Sequence, residues 1–210
     1  MSRIILASGS PRRRQLLEQV GIAHDVIVSG ADETVDGPPE EQVRTLALRK
    51  AEAVRSVIDG TAMCKSDNSG THAAINGDTV IIAADTLVYI DGMVLGKPDG
   101  PDDAFTMLKT LQGRCHTVHT GVAVLRVDAG ECAIESFVEA ARVYFRELSD
   151  AEIWAYIGTG EPFDKAGAYG VQEKGALLVE RVDGDFFTVV GLPLAKLAVT
   201  LARMGIDVWR

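Results

Sequence analysis

The chemistry in this chain is concentrated in a few short stretches. Ile4 to Ala7 is an apolar run that opens into Ser8-Gly9-Ser10-Pro11-Arg12-Arg13-Arg14. A loop between strand and helix turns backbone N–H groups outward, and the helix dipole favours an anion there. Ser8 and Ser10 add hydroxyl donors, and Arg12 and Arg13 add guanidinium forks that match phosphate oxygens. The same residues also fit an ordinary capped helix with solvated arginines. Their place at the carboxyl end of the first strand, where open α/β sheets bind ligands, favours the anion site.

Asp85 interrupts the apolar run Ile81-Ile82-Ala83-Ala84-Asp85-Thr86-Leu87-Val88. A carboxylate is costly in such a strand unless it is paired or bound to a cation, so this position reads as functional. Lys50 falls on the apolar stripe Val43, Ala47, Val54, Val57 of a helix predicted over Glu40 to Ile58. It either snorkels to solvent or reaches into an anion site. Lys97 is aimed by the turn Leu95-Gly96-Lys97-Pro98, and Glu33 lies in Ala31-Asp32-Glu33-Thr34, either as a surface acid or as a second carboxylate for a cation. From Gly160 to Gln172, glycines, alanines and a proline imply special backbone geometry around Asp164, Lys165 and Gln172. A tight turn and a ligand lid both remain open for that stretch. His116 and His119 do not make a metal pair, because three apart on a strand they face opposite sides. The inventory is that of phosphoryl chemistry with a hard divalent cation, magnesium or manganese. No cysteine or serine–histidine nucleophile arrangement is evident, so water is the expected attacker.

The elements that must position these residues alternate. Strands are predicted over Ile4 to Ala7, Val26 to Val28, Val80 to Ile90, Met93 to Leu95, Thr117 to Val127, Ser136 to Phe145 and Ala176 to Val182. The first helix starts at Pro11 with serine as its cap, buries Leu16, Leu17 and Val20, and ends at Gly21. Further helices are expected at Glu40 to Ile58, Pro101 to Leu111, after the capping box Ser149–Glu152, and over Pro193 to Met204. Asp91-Gly92 signals a hairpin. Asp59 to Thr79 is polar and reads as a mobile surface loop. Helices alternate with strands and hairpins, which gives an α/β fold with a mixed sheet.

The net charge of −9 over 210 residues disfavours a nucleic acid polymer or an anionic membrane as partner. Cys64, Cys115 and Cys132 match no metal spacing and read as free thiols of a reducing compartment. No apolar run is long enough for a bilayer, and the apolar start is too short for a signal peptide, so a cytoplasmic location is expected.

Taken in order, the stretches Leu6-Ala7-Ser8-Gly9-Ser10-Pro11-Arg12-Arg13, Asp32-Glu33, Lys50-Ala51, Ala84-Asp85-Thr86, Gly96-Lys97-Pro98, Glu161-Pro162-Phe163-Asp164-Lys165-Ala166-Gly167-Ala168-Tyr169-Gly170 and Val190-Gly191-Leu192-Pro193-Leu194 resemble the Maf family of nucleotide pyrophosphatases. The resemblance spans most of the chain. It implies an elongated two-lobed α/β fold around a mixed, twisted sheet, a substrate cleft between the lobes, and a homodimer. It implies hydrolysis of a nucleoside triphosphate to monophosphate and pyrophosphate with a divalent metal. The family's proton acceptor matches Asp85, and positions linked to base choice match Arg12, Thr86 and Gln172. Ser-Pro-Arg, Asp-Thr and Tyr-Gly-Val-Gln are similar to the subgroup acting on dTTP and UTP rather than the one acting on 7-methyl-GTP. On this reading the triphosphate lies on the Ser8–Arg13 loop, Lys50 and Lys97 neutralise it, and Asp85 with Glu33 holds magnesium and activates water. Division arrest, associated with family members, leaves a non-hydrolysing nucleotide-binding regulator as the reading from another class. Two departures stand out: Glu173 follows Gln172 where the family usually has glycine, and the Asp59 to Thr79 stretch is longer than the family leads one to expect.

Overall fold

The computed structural model of the protein describes residues 2–60, 78–128 and 131–209. Its elements run β1 (Arg3–Leu6), α1 (Pro11–Gln19), β2 (Asp25–Val26), α2 (Pro39–Ile58), β3 (Thr79–Ile90), β4 (Met93–Leu95), α3 (Pro101–Leu111), β5 (Cys115–Asp128), β6 (Glu131–Phe145), α4 (Asp150–Ile157), β7 (Val179–Asp183), α5 (Phe186–Val190) and α6 (Leu194–Arg203). The strands form one seven-stranded sheet in the order β2-β1-β3-β5-β6-β7, with β4 paired to β3. β1 is parallel to both β2 and β3, whereas β3–β4 and β6–β7 are antiparallel. The sheet is therefore mixed, as the interleaved helices and hairpins require.

The chain divides into two compact units, and β3, β5 and β6 each contribute residues to both. In the first unit (residues 1–85, 121–137 and 194–210) α2 lays Ala47, Ala51, Val54 and Ile58 against Ile5, Ile81, Ala83, Ala123 and Leu125. The close approach of α2 to β5 rests on Gly121. A Cβ there would stand 2.3 Å from the Val43 carbonyl oxygen and 2.8 Å from the Arg44 nitrogen. Asp78, assigned by sequence to the end of the polar loop, is instead anchored: Arg126 grips it with Nε and Nη2 at 2.7 and 2.9 Å, and Ser2 donates to it. Thr79 is buried and pairs with Arg3 at the head of β3. The central part of that loop, residues 61–77 with Cys64, lies outside the described residues.

In the second unit (residues 86–120 and 138–193) α3 and α4 cover Val88, Ile90, Val118, Val143 and Phe145 with Ala104, Leu108, Leu111, Ile153, Tyr156 and Ile157. Phe105 of α3 stacks on Trp154 of α4 at 4.8 Å. Asp91 and Gly92 both have positive φ, 50° and 83°, the backbone a two-residue hairpin demands. The capping box at α4 is complete, with the Ser149 hydroxyl accepting from Glu152 N and the Glu152 carboxylate accepting from Ser149 N. Those bonds and Arg146 hold the Glu152 carboxyl down at about 2. Ser149→Ala is expected to lower stability by about 1 kcal/mol, measured by urea unfolding.

His116 on β5 is 2% exposed, with Nε2 at 2.7 Å from the Tyr169 hydroxyl and its ring edge-on to Phe145 and Tyr169. Burial pulls its pKa down to about 4. An unfolded chain takes up that proton near 6.5, so the stability tied to a neutral His116 is complete above about 6.5 and is lost as pH falls towards 4. Roughly 3 kcal/mol of acid sensitivity is expected from this residue. His116→Gln should flatten the unfolding free energy between pH 6.5 and 4 by about that amount relative to wild type.

Several sequence expectations need correction. Val20 is exposed at the carboxyl cap of α1, because the backbone leaves helical geometry there; the buried residues of the helix are Arg13, Leu16 and Leu17. Ser10 occupies the N-cap of α1 but its side chain caps nothing. The stretch from Ala176 to Leu178 finishes a 3-10 turn that begins at Glu173, and the strand starts only at Val179, because Gly175 packs directly on the Gly170 carbonyl. α5 was not foreseen: five residues capped by the Asp185 carboxylate are too few to show a helical period.

Candidate active site

β1 and β3 run parallel and adjacent, so Ser8, just past β1, and Asp85, in mid-β3, belong to one end of the first unit's sheet. The Ser8 hydroxyl accepts the Ser10 N–H at 3.2 Å and an Arg13 Nη1–H at 3.0 Å. That leaves its own proton as the one it can offer a ligand. Arg13, one turn into α1, is 9% exposed, and burial pulls its guanidinium below the ordinary arginine range while Asp85 and Glu33 pull it back up. Arg12, half-buried and next in the chain, adds a second positive charge beside it.

Lys50 does not snorkel. It is 8% exposed, and its Nζ lies 2.7 Å from Asp85 Oδ1 and 2.7 Å from Glu33 Oε1. The Asp85 side chain is 15% exposed, whereas that of Glu33 is largely open to solvent. Glu33 comes from a loop that α2 itself holds: Arg49 Nη1 donates to the Thr34 carbonyl at 2.9 Å, and Asp32 Oδ1 closes the turn by accepting Thr34 N–H at 2.9 Å. Adjacent residues of one helix therefore place the acid loop (Arg49) and bridge it to the sheet (Lys50). The close contact at Gly121 sets how near to the sheet that helix lies.

Thr86, Lys97, Asp164, Lys165 and Gln172 belong to the second unit. Thr120 donates its one hydroxyl proton to the Thr188 carbonyl at 2.7 Å, so the 2.9 Å contact between Thr86 and Thr120 has Thr86 as donor. Lys97 is exposed in the turn after β4, and the neighbouring Gly96 carbonyl accepts Gly167 N–H at 2.9 Å. Lys165 Nζ is engaged inside its own turn by the Glu161 carbonyl at 2.6 Å and Asp164 Oδ1 at 2.8 Å. The Gly160 to Gln172 stretch is a series of 3-10 turns tied by Glu161, whose carboxylate accepts Lys174 N–H and Gly175 N–H, and by the Tyr156 hydroxyl, which accepts Gly170 N–H. Gln172 is half-buried at the start of the next turn, and Glu173 follows with φ of +54°, a left-handed conformation that glycine adopts without strain.

The structure thus brings Ser8, Arg13, Glu33, Lys50 and Asp85 together in the first unit. Arg49, Glu161, Tyr156, Thr120 and Thr188 were missed from sequence. Of these only Thr120 carried a signal, as a hydroxyl shortly before the apolar run Val122 to Leu125 of the same strand, where it needs a partner. Among the described residues no group of three or more His, Cys, Asp or Glu side chains could hold a metal by itself. The donor set that exists, Asp85 and Glu33, is hard oxygen. It fits magnesium, which is usually bound through one or two carboxylates plus substrate phosphates.

The Maf-like protein family model matches residues 3–204. The chain belongs to the Maf family. Proteins named dTTP/UTP pyrophosphatase match this Maf chain along its whole length: 43% identity in Caldicellulosiruptor saccharolyticus and 46% in Moorella thermoacetica, each over 100% of this chain and 98% of the relative. A third, from Bacillus cereus, is 41% identical over 99% of this chain and 98% of its own.

Proposed function

We propose that the protein is a nucleoside triphosphate pyrophosphatase acting on dTTP and UTP, which it cuts to the monophosphate and pyrophosphate. The observation that carries this reading is the Lys50 ammonium held between Glu33 and Asp85 in a Maf chain, beside the Ser8–Arg13 loop. Full-length relatives at 41–46% identity bear the name dTTP/UTP pyrophosphatase, which supports it.

Asp85 and Glu33 would hold the divalent ion, which when bound supplies charge neutralisation and acidifies water. The Asp85 carboxylate is the group that takes the proton from the attacking water. That water attacks the α-phosphorus and the α–β bridging oxygen leaves with pyrophosphate. Arg13 and Lys50 stabilise the charge that develops, and the Ser8 hydroxyl donates to a phosphate oxygen. For base choice, the positions matching the family's pyrimidine pattern are Arg12, Thr86 and Gln172. We place the reaction in the cytoplasm, where free thiols belong, on a small nucleotide; a magnesium-dependent homodimer is what the family resemblance implies.

A panel of dTTP, UTP, CTP, GTP and 7-methyl-GTP with separate detection of pyrophosphate and inorganic phosphate tests this. Pyrophosphate from dTTP and UTP at rates at least tenfold above the others is expected. Turnover confined to 7-methyl-GTP would overturn the substrate assignment, and inorganic phosphate as the first product would overturn the reaction.

A further inference from the structure

Lys50 touches both carboxylates that would hold the metal, each at 2.7 Å. Glu33 and Asp85 carry negative charge, Lys50 and Arg13 positive charge, and all lie within electrostatic reach of one another. The two carboxylates are thus already matched by Lys50 and Arg13, with Arg12 adding further positive charge beside Arg13. A bare divalent ion arriving at Asp85 Oδ1 and Glu33 Oε1 meets the Lys50 ammonium at the same oxygens, and Arg13 beside them. It would leave a buried lysine without a counter-charge, which is unfavourable at 8% exposure. A metal–triphosphate complex is net negative and brings phosphate oxygens with it. Lys50 can then exchange its carboxylate partners for phosphate while the carboxylates turn to the metal.

We propose that Lys50 is an exchangeable counter-ion that holds the two carboxylates closed to free metal and yields them only to metal that comes with nucleotide. Metal affinity and nucleotide affinity are then coupled, and by linkage each raises the other by the same factor. The inference rests on the pyrophosphatase reading for the identity of the nucleotide. Its core comparison, metal against Lys50, needs neither nucleotide nor turnover.

The probe is Mn²⁺, titrated into the intact protein and followed by electron paramagnetic resonance of the free ion. Three proteins are compared without nucleotide: wild type, Lys50→Met and Lys50→Arg. Lys50→Met is expected to bind Mn²⁺ about tenfold more tightly than wild type, because the competing cation is gone, and Lys50→Arg to stay weak, as a coupling of ordinary size would give. Equal or weaker binding by Lys50→Met overturns the proposal. Wild type provides a second reading that depends on no variant. Adding the non-hydrolysable α,β-methylene analogue of UTP should tighten Mn²⁺ on the protein about tenfold beyond what a protein-free control shows the analogue to bind by itself, and Mn²⁺ uptake equal to the sum of protein alone and analogue alone overturns it. An analogue that binds in neither condition sinks the nucleotide reading instead, and the nucleotide-free comparison still decides the exchange.

Discussion

Asp85→Asn is expected to lower kcat for dTTP or UTP by roughly 10²- to 10⁴-fold, the usual contribution of a positioned general base. The substitution keeps the size and shape of the side chain on β3, where Ala83 and Ala84 are fully buried and need the strand undisturbed. What is removed is the charge opposite Lys50 and the oxygen that receives a proton. Glu33 still faces Lys50 at 2.7 Å, so the ammonium keeps one partner and the fold should survive. Pyrophosphate release reads the rate, and circular dichroism on heating reads the fold. A cooperative thermal transition close to that of wild type is expected beside the lost activity. A folded Asp85→Asn protein that retains turnover within tenfold of wild type would remove Asp85 from proton transfer.

Gly121→Val is expected to show the largest loss of stability. Even the first added carbon would stand 2.3 Å from Val43 O and 2.4 Å from Val43 C, backbone atoms that no rotamer change can move. Either α2 lifts from β5 or the strand buckles. Overpacking of this kind costs about 3 kcal/mol or more, roughly 6–12 °C in Tm for a chain of this size. The consequence reaches the site because α2 carries Lys50 and Arg49. A displaced helix lengthens the reach of Lys50 to Asp85 and loosens the loop bearing Glu33, so kcat should fall together with Tm. A Gly121→Val protein as stable as wild type would mean that α2 does not depend on this contact for its position.

The individual members of the site were legible in the sequence where they broke a local rule. Asp85 stands out as a charge in an apolar strand, and Lys50 as a cation on the buried stripe of its helix. Their pairing was not legible. The two are 35 residues apart and meet only because α2 lies as close to the sheet as Gly121 permits. Nothing in a single glycine within a strand states that distance. Arg49 was invisible for a related reason: it works through the backbone carbonyl of Thr34, and a carbonyl leaves no mark on residue type. The fold followed the same pattern. α3 ran as expected from Pro101 to Leu111, because proline, the apolar period and Gly113 agree. From Gly160 to Leu178, short 3-10 turns are built on side chain to backbone bonds from Glu161 and Tyr156, and periodicity has no means of showing them.

The proposed attack of Asp85-activated water on the α-phosphorus can be followed by running the reaction in ¹⁸O-enriched water and locating the label by mass spectrometry. The label is expected in the nucleoside monophosphate, with unlabelled pyrophosphate as the other product. Label in pyrophosphate would mean attack at the β-phosphorus, and label in released inorganic phosphate would mean attack at the terminal one. Either result would contradict the chemistry assigned to the Ser8, Arg13, Glu33, Lys50 and Asp85 site.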